Sequence, residues 1–133
     1  MLSLDAKPED MVAFVGRWFK LMADGRVEAA LSELDEPNSY GVRWSTEAIA
    51  RLISQNFGHG KYLARHPEGP LFTAPEAANG RADAEVVELE DGSGYVLDHN
   101  VPLNGEWSDL TAQFEFLRRD RGYAVVLHDL HVL

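Results

Sequence analysis

Near the carboxy-terminal end of this 133-residue chain, His128, Asp129 and His131 bring together side chains that ligate metal ions or move protons. In a strand, successive side chains alternate, so the odd spacing of His128 and His131 points them to opposite faces and keeps them from sharing an ion. His59 and His66 fall in a stretch rich in glycine and proline, from which no geometry follows. We therefore expect no metal site and no cofactor. Nucleophilic catalysis lacks its parts, since the chain has no cysteine and no Gly-x-Ser-x-Gly elbow. Gly92-Ser93-Gly94 reads as a hairpin turn, and no glycine loop leads into a helix to cradle phosphate. Carboxylates are the denser signal. Asp83, Glu85, Glu88, Glu90, Asp91 and Asp98 form a run of six acids with no Lys or Arg among them.

That run sits in a chain with 22 acidic residues against 12 Lys and Arg, a formal charge of −10. Such a field repels phosphate backbones and anionic bilayers and attracts basic partners. Nucleic acid is excluded on this ground; the one basic cluster, Arg118-Arg119-Asp120-Arg121, is compact and belongs to a turn. No stretch approaches the roughly 20 apolar residues of a membrane span, and the start Met1–Pro8 lacks the basic and apolar regions of a signal peptide. Absence of cysteine suits a reducing compartment. The expectation is a cytoplasmic protein of one domain, residues 1–133, large enough to fold around a single core.

Hydrophobic spacing supplies the elements. Pro8 opens a helix in which Met11, Phe14, Val15, Trp18 and Met22 form one apolar stripe, broken by Ala23-Asp24-Gly25. A second helix runs from Arg26 to about Leu34, with Asp24 as its cap. Ser45 caps a third, whose buried face is Ile49, Leu52, Ile53 and Phe57 and which Gly58 ends. Glycine and proline recur from Gly58 to Gly80, predicting a long irregular crossover. Strands follow at about 82–90, 95–103, 107–117 and 123–133, with turns at Asp91–Gly94, Asn104-Gly105 and Arg119–Gly122. Asn-Gly between strands is a strong hairpin signal. Leu110, Ala112, Phe114 and Phe116 share one face of the third strand. The last strand is apolar on both faces over Ala124–Leu127, which reads as a central strand. Three amino-terminal helices packed on an antiparallel sheet make an α+β fold.

Asp24–Leu31 (Asp-Gly-Arg-Val-Glu-Ala-Ala-Leu), Trp44–Ile49, Trp107–Thr111 and Asp129–Leu133, in this order of elements, resemble the nuclear transport factor 2-like superfamily, in particular its small bacterial members. The resemblance spans nearly the whole chain. It implies that the sheet is strongly curved and wraps the helices into a cone that can hold a pocket. Superfamily members include isomerases, dehydratases, epoxide hydrolases, association domains and predicted immunity proteins of toxin systems, so the likeness does not select one activity. If the chain is an enzyme, the family pattern of an Asp with a His, Tyr or Trp donor implies Asp98 and His99, with Tyr40, Trp44, Tyr95 and Trp107 as polar-tipped aromatics. Asp98 and His99 are adjacent on a strand, so at most one can face the cavity.

Without a constellation for catalysis, the reading that fits is a non-enzymatic binding protein, an immunity-type protein that occludes a basic partner toxin. Glu85, Glu88, Glu90 and Asp91, with the crossover, would steer that partner. The rival is a small-molecule binder or acid–base enzyme of the isomerase or dehydratase kind, which requires an open cone pocket. A homodimer formed through the sheets is compatible with both.

Overall fold

The computed structural model describes residues 1–132, so Leu133, the end of the predicted last strand, lies outside it. Four α-helices precede the sheet: α1 (Pro8–Ala23), α2 (Val27–Ser32), α3 (Thr46–Phe57) and α4 (Gly60–Arg65). A 3-10 turn, Pro75–Ala77, leads to β1 (Ala84–Glu88), β2 (Gly94–Leu103), β3 (Glu106–Arg118) and β4 (Tyr123–Val132). All neighbours pair antiparallel, in the order β1-β2-β3-β4. The molecule is an α+β protein with helices packed against a four-stranded antiparallel sheet.

Its core follows from two periodicities meeting. The apolar stripe of α1 buries Met11, Phe14, Val15, Trp18, Phe19 and Met22. The inward residues of the strands, among them Leu97, Val101, Leu110, Phe114, Phe116, Val125 and Leu127, are buried opposite it. Aromatic rings lock this contact edge-on: Trp18 meets Phe114 at 5.3 Å, and Phe14 meets Phe116 at 5.9 Å and Phe114 at 6.4 Å. Such geometry places a ring's positive edge against its neighbour's negative face. The Trp18 indole also donates to the Ala30 carbonyl at 2.9 Å, tying α2 to α1 without leaving a buried donor unpaired.

Local signals account for most boundaries. The Ser45 hydroxyl accepts the Ala48 N–H at 3.1 Å, as a cap of α3 should. Asn104 and Gly105 both take positive φ (50° and 84°), the conformation a two-residue hairpin turn demands. Asp24, by contrast, does not cap α2: it closes α1, pairing with Lys20 at 3.4 Å, and α2 starts from Arg26 with no side-chain cap. The 58–80 crossover is not irregular throughout, because it contains α4 and the 3-10 turn. The expectation of three helices is thus corrected to four. Nor does the crossover hang free. Asn104 accepts from the Tyr62 hydroxyl at 2.6 Å and donates to Glu68 and to the Gly69 carbonyl, both at 3.0 Å, pinning the crossover to the β2–β3 turn.

β4 is an edge strand, not the central one its apolar pattern suggested. Its residues are buried because its outer edge is covered by non-strand chain. Leu2 and Tyr123 exchange backbone hydrogen bonds of 2.9 and 2.7 Å. Asp35 stands in for a strand residue: its N–H donates to the Val125 carbonyl, and its carboxylate accepts the Val125 N–H, each at 2.8 Å. Further on, the Trp44 indole donates to the Leu127 carbonyl at 2.6 Å and the Asn38 amide to the His128 carbonyl at 3.0 Å. Over Tyr123–His128 an edge blocked in this way cannot pair with another chain. Replacing Asp35 with Ala leaves the N–H of fully buried Val125 unpartnered. We expect a loss of about 1–3 kcal/mol, the cost of an orphaned buried donor, measured by urea unfolding against wild type.

Candidate functional site

The sheet has one face on the helices and one turned away, and strand register assigns side chains to each. Asp98 lies opposite both Glu85 and Gln113, and Gln113 opposite Asp129. Because directly opposite residues share a face, Glu85, Asp98, Gln113 and Asp129 form one row across all four strands on the outward face. Glu115 lies in the next row, opposite Val96 and Val126. The Gln113 amide donates to Asp98 at 2.9 Å, which satisfies one carboxylate without neutralising it. Of the described strand residues Arg118 alone is a Lys or Arg, and its guanidinium donates to the Tyr123 hydroxyl at 2.9 Å. Like charges directly opposite one another destabilise a sheet, so this row is held at a cost.

Two bulges hide the row from a reading of the sequence. Between Asn100 and Pro102 the pairing of β2 with β3 shifts by two residues. Between Gln113 and Phe114 the pairing with β4 skips His128. This single extra residue reverses the alternation of β4, as a bulge must. His131 opposite Thr111 and His128 beside Glu115 therefore share the outward face, which overturns the expectation that their odd spacing separates them. His128 approaches Glu115 at 3.6 Å and His131 approaches Asp129 at 3.3 Å, but the Nδ1 atoms of both histidines are buried without a hydrogen-bond partner. Among the described residues no three His, Cys, Asp or Glu converge as a metal site would require.

The predicted pocket residues are dispersed. Asp98 takes the outward face and His99 the core, so the two never meet on one side. His99 is 4% exposed, stacked on Trp107 at 5.4 Å and edge-on to Phe19 at 5.3 Å. Its Nδ1 lies 2.9 Å from the Asn100 carbonyl, which can only accept, so Nδ1 carries the hydrogen. Tyr40 is 80% exposed with its ring 5.8 Å from that of His128, Trp44 covers the β4 edge, and Tyr95 packs edge-on to Tyr123. Space between helices and sheet is taken by Trp18, Phe114 and Phe116, each at most 1% exposed. A cleft of about 450 Å³ opens beside α1, lined by Phe14, Arg17, Leu21 and Arg26. Another of about 670 Å³ lies beside Asp83, Asn100 and Trp107. Neither is lined by Asp98 or His99.

Of the predicted partner-binding acids, Glu85 belongs to the outward row, Glu88 ends β1, and Glu90 and Asp91 sit in the turn to β2. Asp91 accepts the Ser93 N–H at 2.9 Å, and its bonds to Ser93 hold its carboxyl below the usual range. Glu115 and Asp129 join this surface through register alone, so the run from Asp83 to Asp98 marks only part of it.

Fold and surface together define a small α+β domain whose distinguishing feature is an acidic outward sheet face. Residues 19–133 match the domain of unknown function DUF7668, and the chain belongs to that family. No curated protein and no solved structure matches it. Among the described residues no helix is long and apolar enough to cross a membrane.

Burial pushes the His99 imidazole below its ordinary value of 6.5, against weaker upward pulls from Asn100 and Asp83. The folded state therefore holds His99 neutral, while the unfolded chain takes up its proton near 6.5. Stability should be intact above that pH and fall as pH drops from 6.5 through the lower folded value. Urea midpoints measured across this range should decline for wild type and decline less for His99→Phe.

Proposed function

We propose that this protein is a non-enzymatic binding protein of the immunity type, which neutralises a basic partner toxin by covering its surface. The observation that carries the reading is the outward carboxylate row Glu85–Asp98–Asp129, with Glu115 beside it, on a face where the strand register places no Lys or Arg. A fold tolerates such a row when relief of the repulsion by a cationic partner contributes to binding. Glu88, Glu90 and Asp91 extend the negative field beyond the row and raise the encounter rate. The crossover contributes less than its length suggested: it is pinned to the β2–β3 turn and mixes Lys61 and Arg65 with Glu68 and Glu76.

The helices-then-meander order and the aromatic contact between α1 and the sheet also support the proposed nuclear transport factor 2-like cone, filled in this chain rather than hollow. A catalytic reading needs Asp98 or His99 in an open cavity with convergent donors. Asp98 faces outward beside Gln113 and His99 is enclosed by Phe19 and Trp107, so the geometry favours binding over catalysis.

Co-expression with the product of a neighbouring toxin-like gene tests this directly. Wild type should restore growth and co-purify with that product, and failure of both overturns the reading. A triple variant, Glu85→Gln with Asp98→Asn and Asp129→Asn, should bind more weakly and with a flatter dependence on salt, read by titration calorimetry at several ionic strengths. The same variant, unbound, should unfold at higher urea, by about 0.2–1 kcal/mol for the directly opposed Glu85–Asp98 pair it relieves.

A further inference from the structure

The two ends of the sheet differ. β4 is covered from Tyr123 to His128, whereas β1 is exposed at four of its five positions, with Val87 at 51%. Its backbone parity follows from two bonds to β2: the Asp83 carbonyl accepts the Asn100 N–H at 3.1 Å, and the Leu89 N–H donates to the Gly94 carbonyl at 2.8 Å. In an antiparallel pair hydrogen-bonded positions alternate, so Asp83, Glu85, Val87 and Leu89 turn their backbone groups toward β2. Ala84, Val86 and Glu88 turn theirs outward, where no other described segment pairs with them. This row of three free N–H and three free C=O groups is a template for one more strand.

We propose that β1 receives an extended, Lys- or Arg-bearing segment of a protein partner as a fifth strand. This deepens the binding-protein reading and rests on it. Charge decides the occupant. Glu85 and Glu88 flank the free groups on opposite faces, with Asp83 before them and Glu90 and Asp91 after. A second copy of the chain would bring two more glutamates to the same short seam, and like charges across strands repel. A basic segment instead sets cations beside Glu85 and Glu88 while its backbone bonds Ala84, Val86 and Glu88, and its apolar residues can cover Val87. The backbone bonds supply the hold, and the acids supply selection.

The test uses the full chain, labelled with nitrogen-15, and an acetylated, amidated octapeptide Lys-Lys-Val-Val-Lys-Lys-Val-Val, whose repeat sets lysines on both faces of an added strand. At saturation, amide exchange at Ala84, Val86 and Glu88 should slow by about tenfold or more, since these amides gain a partner. Glu85→Gln with Glu88→Gln should weaken binding by about tenfold at low salt, the effect of two charge contacts. Ala84→Pro keeps every charge and removes only an outward N–H, a substitution edge strands tolerate; it should reduce binding by about tenfold or more. A peptide of the same sequence with every amide N-methylated leaves the protein untouched, offers no edge with N–H groups, and should likewise fail to bind.

If Ala84→Pro and the methylated peptide bind like their parents, or no exchange slows at the three amides, strand addition is wrong. Binding that perturbs Asp98, Glu115 and Asp129 instead would leave the acidic-face reading standing. No binding of the parent peptide at low salt overturns strand addition, and the acidic-face reading is then judged on the co-expression result alone.

Discussion

Edge-on packing of α1 against β3 is the contact from which the rest of this structure is hung. Trp18 and Phe14 rest on Phe114 and Phe116, and Trp18 also holds α2 through the Ala30 carbonyl. This contact commits one face of the sheet to the core. Every other placement then follows from alternation: once Phe114 points inward, Gln113 and Glu115 must point outward, and their strand partners with them. Burial of large aromatic side chains is also where the favourable free energy of a domain of this size is concentrated. The acidic face is thus fixed by the apolar one.

Elements with strong local chemistry were legible in the sequence. The stripe of α1, the Ser45 cap of α3, the Asn104-Gly105 turn and the inward set Leu110, Ala112, Phe114 and Phe116 were all readable, because each depends on residues within a few positions of one another. The outward row was not readable, for a physical reason. Counting from the Asn104-Gly105 turn sets Asp98 opposite Thr111, whereas the shift near Val101 sets it opposite Gln113. At His128 a single extra residue reversed the faces of the histidines. Bulges are settled by tertiary packing: Pro102 beside the first is a cue, since proline inside a sheet is confined to edges and bulges, whereas no glycine or proline marks the second. Likewise β4 looked central because sequence reports burial but not what causes it, and Asp35, Asn38 and Trp44 bury it from about 90 residues away. Asp24 was misassigned because one acid between two helices suits the end of the first as well as the start of the second.

Charge in this protein works in two separate compartments. Inside, the deeply buried imidazole of His99 is held neutral by burial among aromatic rings, and the core bears no uncompensated ion there. Outside, carboxylates accumulate where water can still solvate them, and their mutual repulsion is small enough for the fold to tolerate yet large enough to bias which molecules approach. Gln113 is the neutral spacer that makes this workable. It gives Asp98 a donor without a cation, which would quench the field, and without a third carboxylate, which would deepen the repulsion.

The contrast between the two sheet margins has a consequence for stoichiometry. With Leu2, Asp35, Asn38 and Trp44 sealing β4 over Tyr123–His128, the margin left for hydrogen-bonded extension is chiefly that of β1. A molecule with one reactive end cannot propagate: any growth stops after a single addition, as a monofunctional reagent terminates a polymer. Under the proposed strand addition, complexes built on this sheet are therefore finite and equimolar, unlike the fibrous assemblies that doubly open sheets permit.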